Sequence, residues 1–115
     1  MKVKIYNKKY DVAVVRDTYT DNNNLAIMLY EKRTGESFAV LTVNLDDKLP
    51  IEYGFVDVNN CPWAEDFIKE NKLGEHTKQF CSSGFCLYPL YKFNLSKIPL
   101  YAEYEMKCLK AKNTL

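Results

Sequence analysis

Histidine is almost missing from this chain: among 115 residues His76 stands alone. Imidazole chemistry, whether a general base or a Cys–His nucleophile pair, must therefore use that one residue. Long apolar runs are missing too. No stretch of about 18 apolar residues occurs, so no transmembrane helix is expected. Met1-Lys2-Val3-Lys4-Ile5 alternates charge with apolar side chains and lacks a signal peptide's apolar core. The expected location is the cytoplasm, with no membrane association. There is no phosphate loop, no GxGxxG and no metalloprotease helix. The acidic pairs Asp46/Asp47 and Glu65/Asp66 sit where turns and helix starts ordinarily place acids. No enzyme is expected, and no cofactor.

Charge of one sign is lacking as well. A net charge of +1 excludes a whole-molecule DNA mimic and a mainly electrostatic DNA binder. The balance is uneven along the chain, however. Residues 1–16 carry Lys2, Lys4, Lys8, Lys9 and Arg16 against Asp11, a local +4. Residues 17–75 hold twelve acids against five bases, and residues 76–115 hold six bases against two acids. This pattern points to an acidic face and a basic face where the segments separate in space.

The four cysteines, Cys61, Cys81, Cys86 and Cys108, do not imply a disulfide framework without a secretory signal. Cys61, Cys81, Cys86 and His76 are zinc-ligand types. The gap of four residues between Cys81 and Cys86, with no second pair, does not make a zinc pattern, and no metal site is expected.

What is present in quantity is apolar and aromatic: 47% and 14% of residues, enough to bury a core in one domain spanning residues 1–115. Period-two alternation predicts strands at Val3–Ile5 and Tyr10–Val15, joined by a turn at Asn7-Lys8-Lys9. Asp21-Asn22-Asn23-Asn24 is a turn by composition. Leu25–Glu31 and Phe38–Leu45 read as a hairpin about Thr34-Gly35-Glu36. Tyr53–Val58 reads as a fifth strand. Pro62 is placed at the first position of a helix, and Trp63/Phe67 and Ala64/Ile68 form its apolar stripe. Gly74 is expected to end that helix in a left-handed conformation. Glu75–Ser83 reads as a surface loop. Leu87–Phe93, in the densest aromatic stretch of the chain, reads as a strand in which Pro89 requires an edge or a bulge. From Leu100 to Lys112 the alternation supports a last strand and the composition also suits a helix; the balance favours the strand. A frayed tail is expected from Lys110. The fold class is α+β, an antiparallel sheet of about five to seven strands packed on one main helix at about residues 62–73.

Three segments, in order, carry a family resemblance. They are Leu41-Thr42-Val43-Asn44-Leu45, then Asn59-Asn60-Cys61-Pro62-Trp63-Ala64-Glu65 with Phe67, then Ser83-Gly84-Phe85-Cys86 running into Tyr88-Pro89-Leu90-Tyr91-Lys92-Phe93. Together they resemble a family of short bacterial domains of unknown function carried mostly by conjugative elements, plasmids and phages. The resemblance spans about residues 3–98, and the segment after Ile98 has no counterpart in it. It implies no catalytic residues. It implies a genetic setting, a bacterial host cell, in which small genes often encode inhibitors of host defence such as anti-restriction and anti-CRISPR proteins.

The leading functional expectation is a non-enzymatic anti-defence protein that binds and inhibits a CRISPR effector of the Cas9 type, or its guide-RNA complex. Asp46, Asp47, Glu52, Asp57, Glu65 and Asp66 would occupy a channel meant for phosphates. The nine tyrosines exceed what a small core requires, and surface tyrosine favours protein interfaces. The alternative is a nucleic-acid-binding accessory protein for transfer or replication of a mobile element. It would use Lys2, Lys4, Lys8, Lys9 and Lys97, with Lys107 and Lys110. A third reading is an enzyme built on Cys81 or Cys86 with His76. The protein is expected as a monomer or as a homodimer paired through an edge strand near Met1 or Leu100.

Overall fold

A computed structural model describes residues 1–45 and 47–113, with side chains through Leu109. The chain opens with a tight hairpin, β1 (Lys2–Ile5) against β2 (Lys8–Thr18). Its turn is Tyr6-Asn7, not the expected Asn7-Lys8-Lys9: both residues have positive φ, 49° and 68°. A two-residue loop of this kind matches the right-handed twist of the strands, and it leaves Lys8 paired with Ile5 inside the ladder.

Strands β3 (Leu25–Glu31) and β4 (Ser37–Val40) complete a first antiparallel sheet in the order β1-β2-β3-β4. The expected long strand Phe38–Leu45 is divided at Leu41. There the N–H donates to the Ile27 carbonyl at 2.8 Å, in the first sheet. The Leu41 carbonyl accepts from the Asp57 N–H at 2.9 Å instead, and β5 (Thr42–Val43) enters a second sheet beside β6 (Tyr53–Val56). One apolar run thus serves two sheets.

Helix α1 (Ala64–Glu70) buries Ala64, Phe67 and Ile68, as the spacing predicts. Pro62 lies ahead of the helix, whose N-cap is Trp63, so it is not the first helical residue. Gly74 is also not the helix terminator. The left-handed residue is Lys72, with φ 52°, and Gly74 opens the next strand. A Cβ at Gly74 would lie 2.6 Å from the Lys92 carbonyl oxygen, so the glycine is required by close backbone approach and not by φ.

The expected loop Glu75–Ser83 is strand β7 (Gly74–Ser83), paired with β8 (Cys86–Phe93) about the two-residue turn Gly84-Phe85. No apolar alternation announces β7 because it is an edge strand exposed along most of its length. The second sheet runs β5-β6-β8-β7, so β8 is an inner strand. Its Pro89 lies beside a bulge in β7 between His76 and Phe80, where the ladder is already interrupted.

After a 3-10 turn at Leu95–Lys97, the Arg16 N–H and Nε donate to the carbonyls of Pro99 and Ile98, at 2.9 and 2.7 Å. The last element is helix α2 (Tyr101–Asn113), not a strand. Among its described side chains Tyr101, Tyr104 and Cys108 are half-buried, and their spacing of three and four is helical; the alternation in this segment marks no sheet face.

The fold is therefore α+β, with two four-stranded antiparallel sheets and two helices in place of one sheet and one helix. The main core joins Val12, Val14, Ile27 and Leu29 of the first sheet to Val56, Tyr91 and Phe93 of the second, with Phe67 and Ile68 of α1. A smaller cluster of Phe55, Tyr88 and Leu90 lies on the other face of the second sheet, under Leu45 and Leu49. No helix among the described residues is long and apolar enough to cross a membrane.

Candidate interaction surface

Side chains alternate along β8, and the two faces it presents have different chemistry. One face carries Tyr91, Pro89 and Leu87, opposite His76, Phe80 and Ser82 of β7. The other carries Tyr88 and Cys86, opposite Cys81 and Ser83.

On the first face the His76 ring lies between Tyr91 and Phe80, at centroid distances of 5.0 and 5.1 Å. Its Nδ1 accepts from the Lys78 N–H at 2.7 Å, which leaves the imidazole proton on Nε2. That nitrogen is 3.9 Å from Glu65 Oε2, beyond hydrogen-bond reach, and this oxygen accepts from the Tyr91 hydroxyl at 2.6 Å. Burial, together with this carboxylate neighbour, pushes the Tyr91 phenol well above its ordinary range. A cleft of about 710 Å³ opens beside the cluster, with Lys69, Lys72 and Lys92 on its walls.

Cys81 and Cys86 project from the opposite face, so neither meets His76, and the Cys–His nucleophile pair does not form. Cys61 is buried in the main core, where burial raises its thiol to about 11. The residues considered for zinc are thus divided among three places. Among the described residues, no group of three or more histidine, cysteine or acidic side chains is placed to hold a metal.

Beyond the cluster the hairpin is apolar and uncovered. Phe85 at its tip is fully exposed, Phe80 is 52% exposed and Leu87 56%. The positive φ of Gly84, 61°, makes the turn that projects Phe85 into solvent. In the sequence Phe80 falls in the expected surface loop, and Phe85 and Leu87 fall in the densest aromatic stretch.

The predicted acidic set does not converge. Asp57 is buried and accepts from the Asn60 N–H and side-chain amide, at 3.2 and 2.9 Å, closing the turn before α1. Glu65 is held by Tyr91. Glu52 pairs with Lys92 at 3.7 Å, and because Lys92 follows Tyr91 in β8, Glu52 and Glu65 flank opposite faces of the second sheet. Asp66 lines a small groove with Lys4 and Glu70, and Asp47 is exposed in the loop after β5. Asp46 lies outside the described residues.

The basic set is divided as well. Lys2, Lys4 and Lys9 share the outer face of the first hairpin. Lys8 is on the other face, 5.1 Å from the Tyr10 ring centroid. Lys97 lies in the 3-10 turn and Lys107 on α2, and the Lys110 side chain lies outside the described residues.

Taken together, the fold and this surface define a two-sheet α+β domain that presents an apolar hairpin. The chain belongs to the family described as a domain of unknown function, DUF4313, whose sequence profile matches residues 14–113. No curated protein and no solved structure matches it. The family match corrects the extent of the sequence resemblance at both ends. It takes in α2, which had no counterpart, and it begins within β2, leaving the first hairpin turn outside.

Proposed function

We propose that this domain is a stoichiometric binding protein that engages a protein partner through the β7–β8 hairpin and performs no chemistry on it. In the mobile-element setting implied by the sequence resemblance, the partner is a bacterial defence effector of the Cas9 type or its guide-RNA complex. The protein acts there as an anti-CRISPR inhibitor in the host cytoplasm. The observation that carries the binding reading is the uncovered apolar face of Phe80, Phe85 and Leu87. It presents on the order of 400 Å² of apolar surface, at the scale where exposed patches mark interaction sites. Aromatic anchors on a projecting turn fill a partner's pocket with little loss of side-chain freedom. The hairpin carries this reading better than the acidic residues do, because the latter are dispersed.

The test is capture of a purified Cas9-type effector, with and without guide RNA, by the wild type and by the double variant Phe85→Ser/Leu87→Ser. Both side chains are solvent-exposed, so the variant should melt within about 4 °C of the wild type, as surface substitutions do. Affinity should fall at least about a hundredfold, as for a lost interface anchor. Equal capture by wild type and variant removes the hairpin from the interface. Absence of any capture removes the proposed partner.

A further inference from the structure

Tyr6, in the turn of the first hairpin, is conspicuous. It is 94% exposed, packs on nothing, and has φ 49° in a turn whose left-handed positions favour asparagine and glycine. A bulky residue held there without packing partners gains the fold nothing. The strand pair behind it has a second feature that opposes stability. Lys4 stands directly opposite Lys9, an unfavourable like-charge pair, with Lys2 next along the same face. Of the nearby acids, Asp11 already faces the N-terminal ammonium at 3.3 Å, Lys2 at 3.6 Å and Lys32 at 3.8 Å, and Asp66 and Glu70 line a small groove with Lys4 without forming an ion pair to it. Among the described residues no ion pair reaches Lys4 or Lys9.

The same face continues to more aromatic and basic groups. Along β2 it passes from Lys9 through Asp11 to Ala13, a path of about 14 Å, and Ala13 stands opposite Tyr30. Tyr30 stacks on Tyr101 and Tyr104 of α2, at 5.5 and 5.8 Å, and the three rings line a groove of about 480 Å³. Lys32 and Arg33 lie on its rim, with Glu105 as its one acidic lining residue.

We infer that this face, from Tyr6 through Lys4 and Lys9 to the Tyr30 groove, is a binding site for single-stranded nucleic acid. Unpaired bases stack on Tyr6 and on the groove tyrosines, while Lys2, Lys4, Lys9 and Arg33 follow the phosphates. Bound phosphate would relieve the repulsion between Lys4 and Lys9. The site lies on the first sheet and α2, whereas the β7–β8 surface belongs to the second sheet, and its inference is independent of the partner proposed there.

The experiment is fluorescence anisotropy at low salt, with labelled oligo-dT and oligo-U of about 12 nucleotides and a duplex of the same length as control. The wild type should bind one or both single strands more tightly than the duplex. Tyr6→Asn should weaken binding about tenfold, the effect of removing one base stack, while raising the melting temperature because asparagine suits the turn. Lys4→Glu/Lys9→Glu should weaken it further and reduce the logarithmic salt slope by about 0.7 for each phosphate that is no longer neutralised. Phe85→Ser/Leu87→Ser should bind like the wild type. The inference is overturned by no binding at low salt, by preference for the duplex, or by unchanged affinity in Tyr6→Asn. It is also overturned if Tyr6→Asn lowers binding and melting temperature together, since Tyr6 would then be structural.

Discussion

Single residues in this protein carry tasks that their type alone does not declare. Gly74 occupies a backbone conformation that other residues can adopt, and what excludes a side chain is the β8 backbone beside it, 2.6 Å from a would-be Cβ at the Lys92 oxygen and 3.1 Å at Phe93 Cα. Neither atom can move without separating β7 from β8. Gly74→Ala should therefore destabilise the fold by about 1–3 kcal/mol, read from urea unfolding. An unchanged midpoint would show that the hairpin shifts freely. Asn24 is a comparable case. It belongs to a turn by composition, yet it is buried. Its amide donates to the Asn44 side chain and the Asp47 carbonyl, and its oxygen accepts from the Leu49 N–H. That loop carries Leu45 and Leu49 onto the second core cluster.

At the scale of elements, the two helices are held differently. Helix α1 places three buried side chains in the main core. Helix α2 rests on the first sheet through Tyr101 and Tyr104 against Tyr30, and it leaves Met106 and Leu109 60% and 54% exposed. Sparse apolar burial means a low free energy of local opening. Amide hydrogens of α2 should exchange with solvent faster than those of β2 and β3, by at least about tenfold. Tyr30→Ala should widen that difference while leaving α1 unaffected. Equal protection of α1 and α2 would mean that α2 opens only with the whole fold. The β1–β2 and β7–β8 hairpins show how elements make surfaces: each of these two has a two-residue turn and presents an exposed aromatic, Tyr6 or Phe85.

For the whole molecule, several acids of high pKa are protonated more firmly in the folded state than in the unfolded chain. Burial raises Cys61 from 9.0 to about 11, and burial also raises Tyr19 and Tyr91. A group with a raised native pKa binds more protons when folded, so its contribution is fully present below the unfolded value and is lost as pH rises through the folded one. Stability should therefore hold from neutral pH to about 9 and decline between 9 and about 11. Urea midpoints across that range test it, and a midpoint that is flat or rising above pH 9 would contradict the assignment. In the same range Cys61 should be alkylated later than Cys81 and Cys86, which are half-exposed.

The sequence by itself determined local matters. Leu25–Glu31, the turn before it and the buried stripe of α1 follow from periodicity and turn chemistry, which act over a few residues. It also marked Phe38–Leu45 as a strand. Only the tertiary structure decided that this run changes sheets at Leu41, because the choice depends on Ile27 and Asp57, distant in the chain, offering partners on opposite sides. It likewise decided that β7 is a strand, since an exposed edge needs no apolar pattern when β8 supplies its hydrogen bonds. The candidate surfaces were legible only in part. Charge counts located the bases of the first hairpin, but cross-strand register selected Lys2, Lys4 and Lys9 from among them and set Lys8 aside. The acids lie close in sequence and are dispersed in space, because successive elements there turn them to different faces. Phe85 and Leu87 belong to the densest aromatic stretch of the sequence, yet they are exposed, whereas Tyr91 and Phe93 of the same stretch are buried. Burial is a property of what lies opposite a side chain, and the chain alone does not name its opposite.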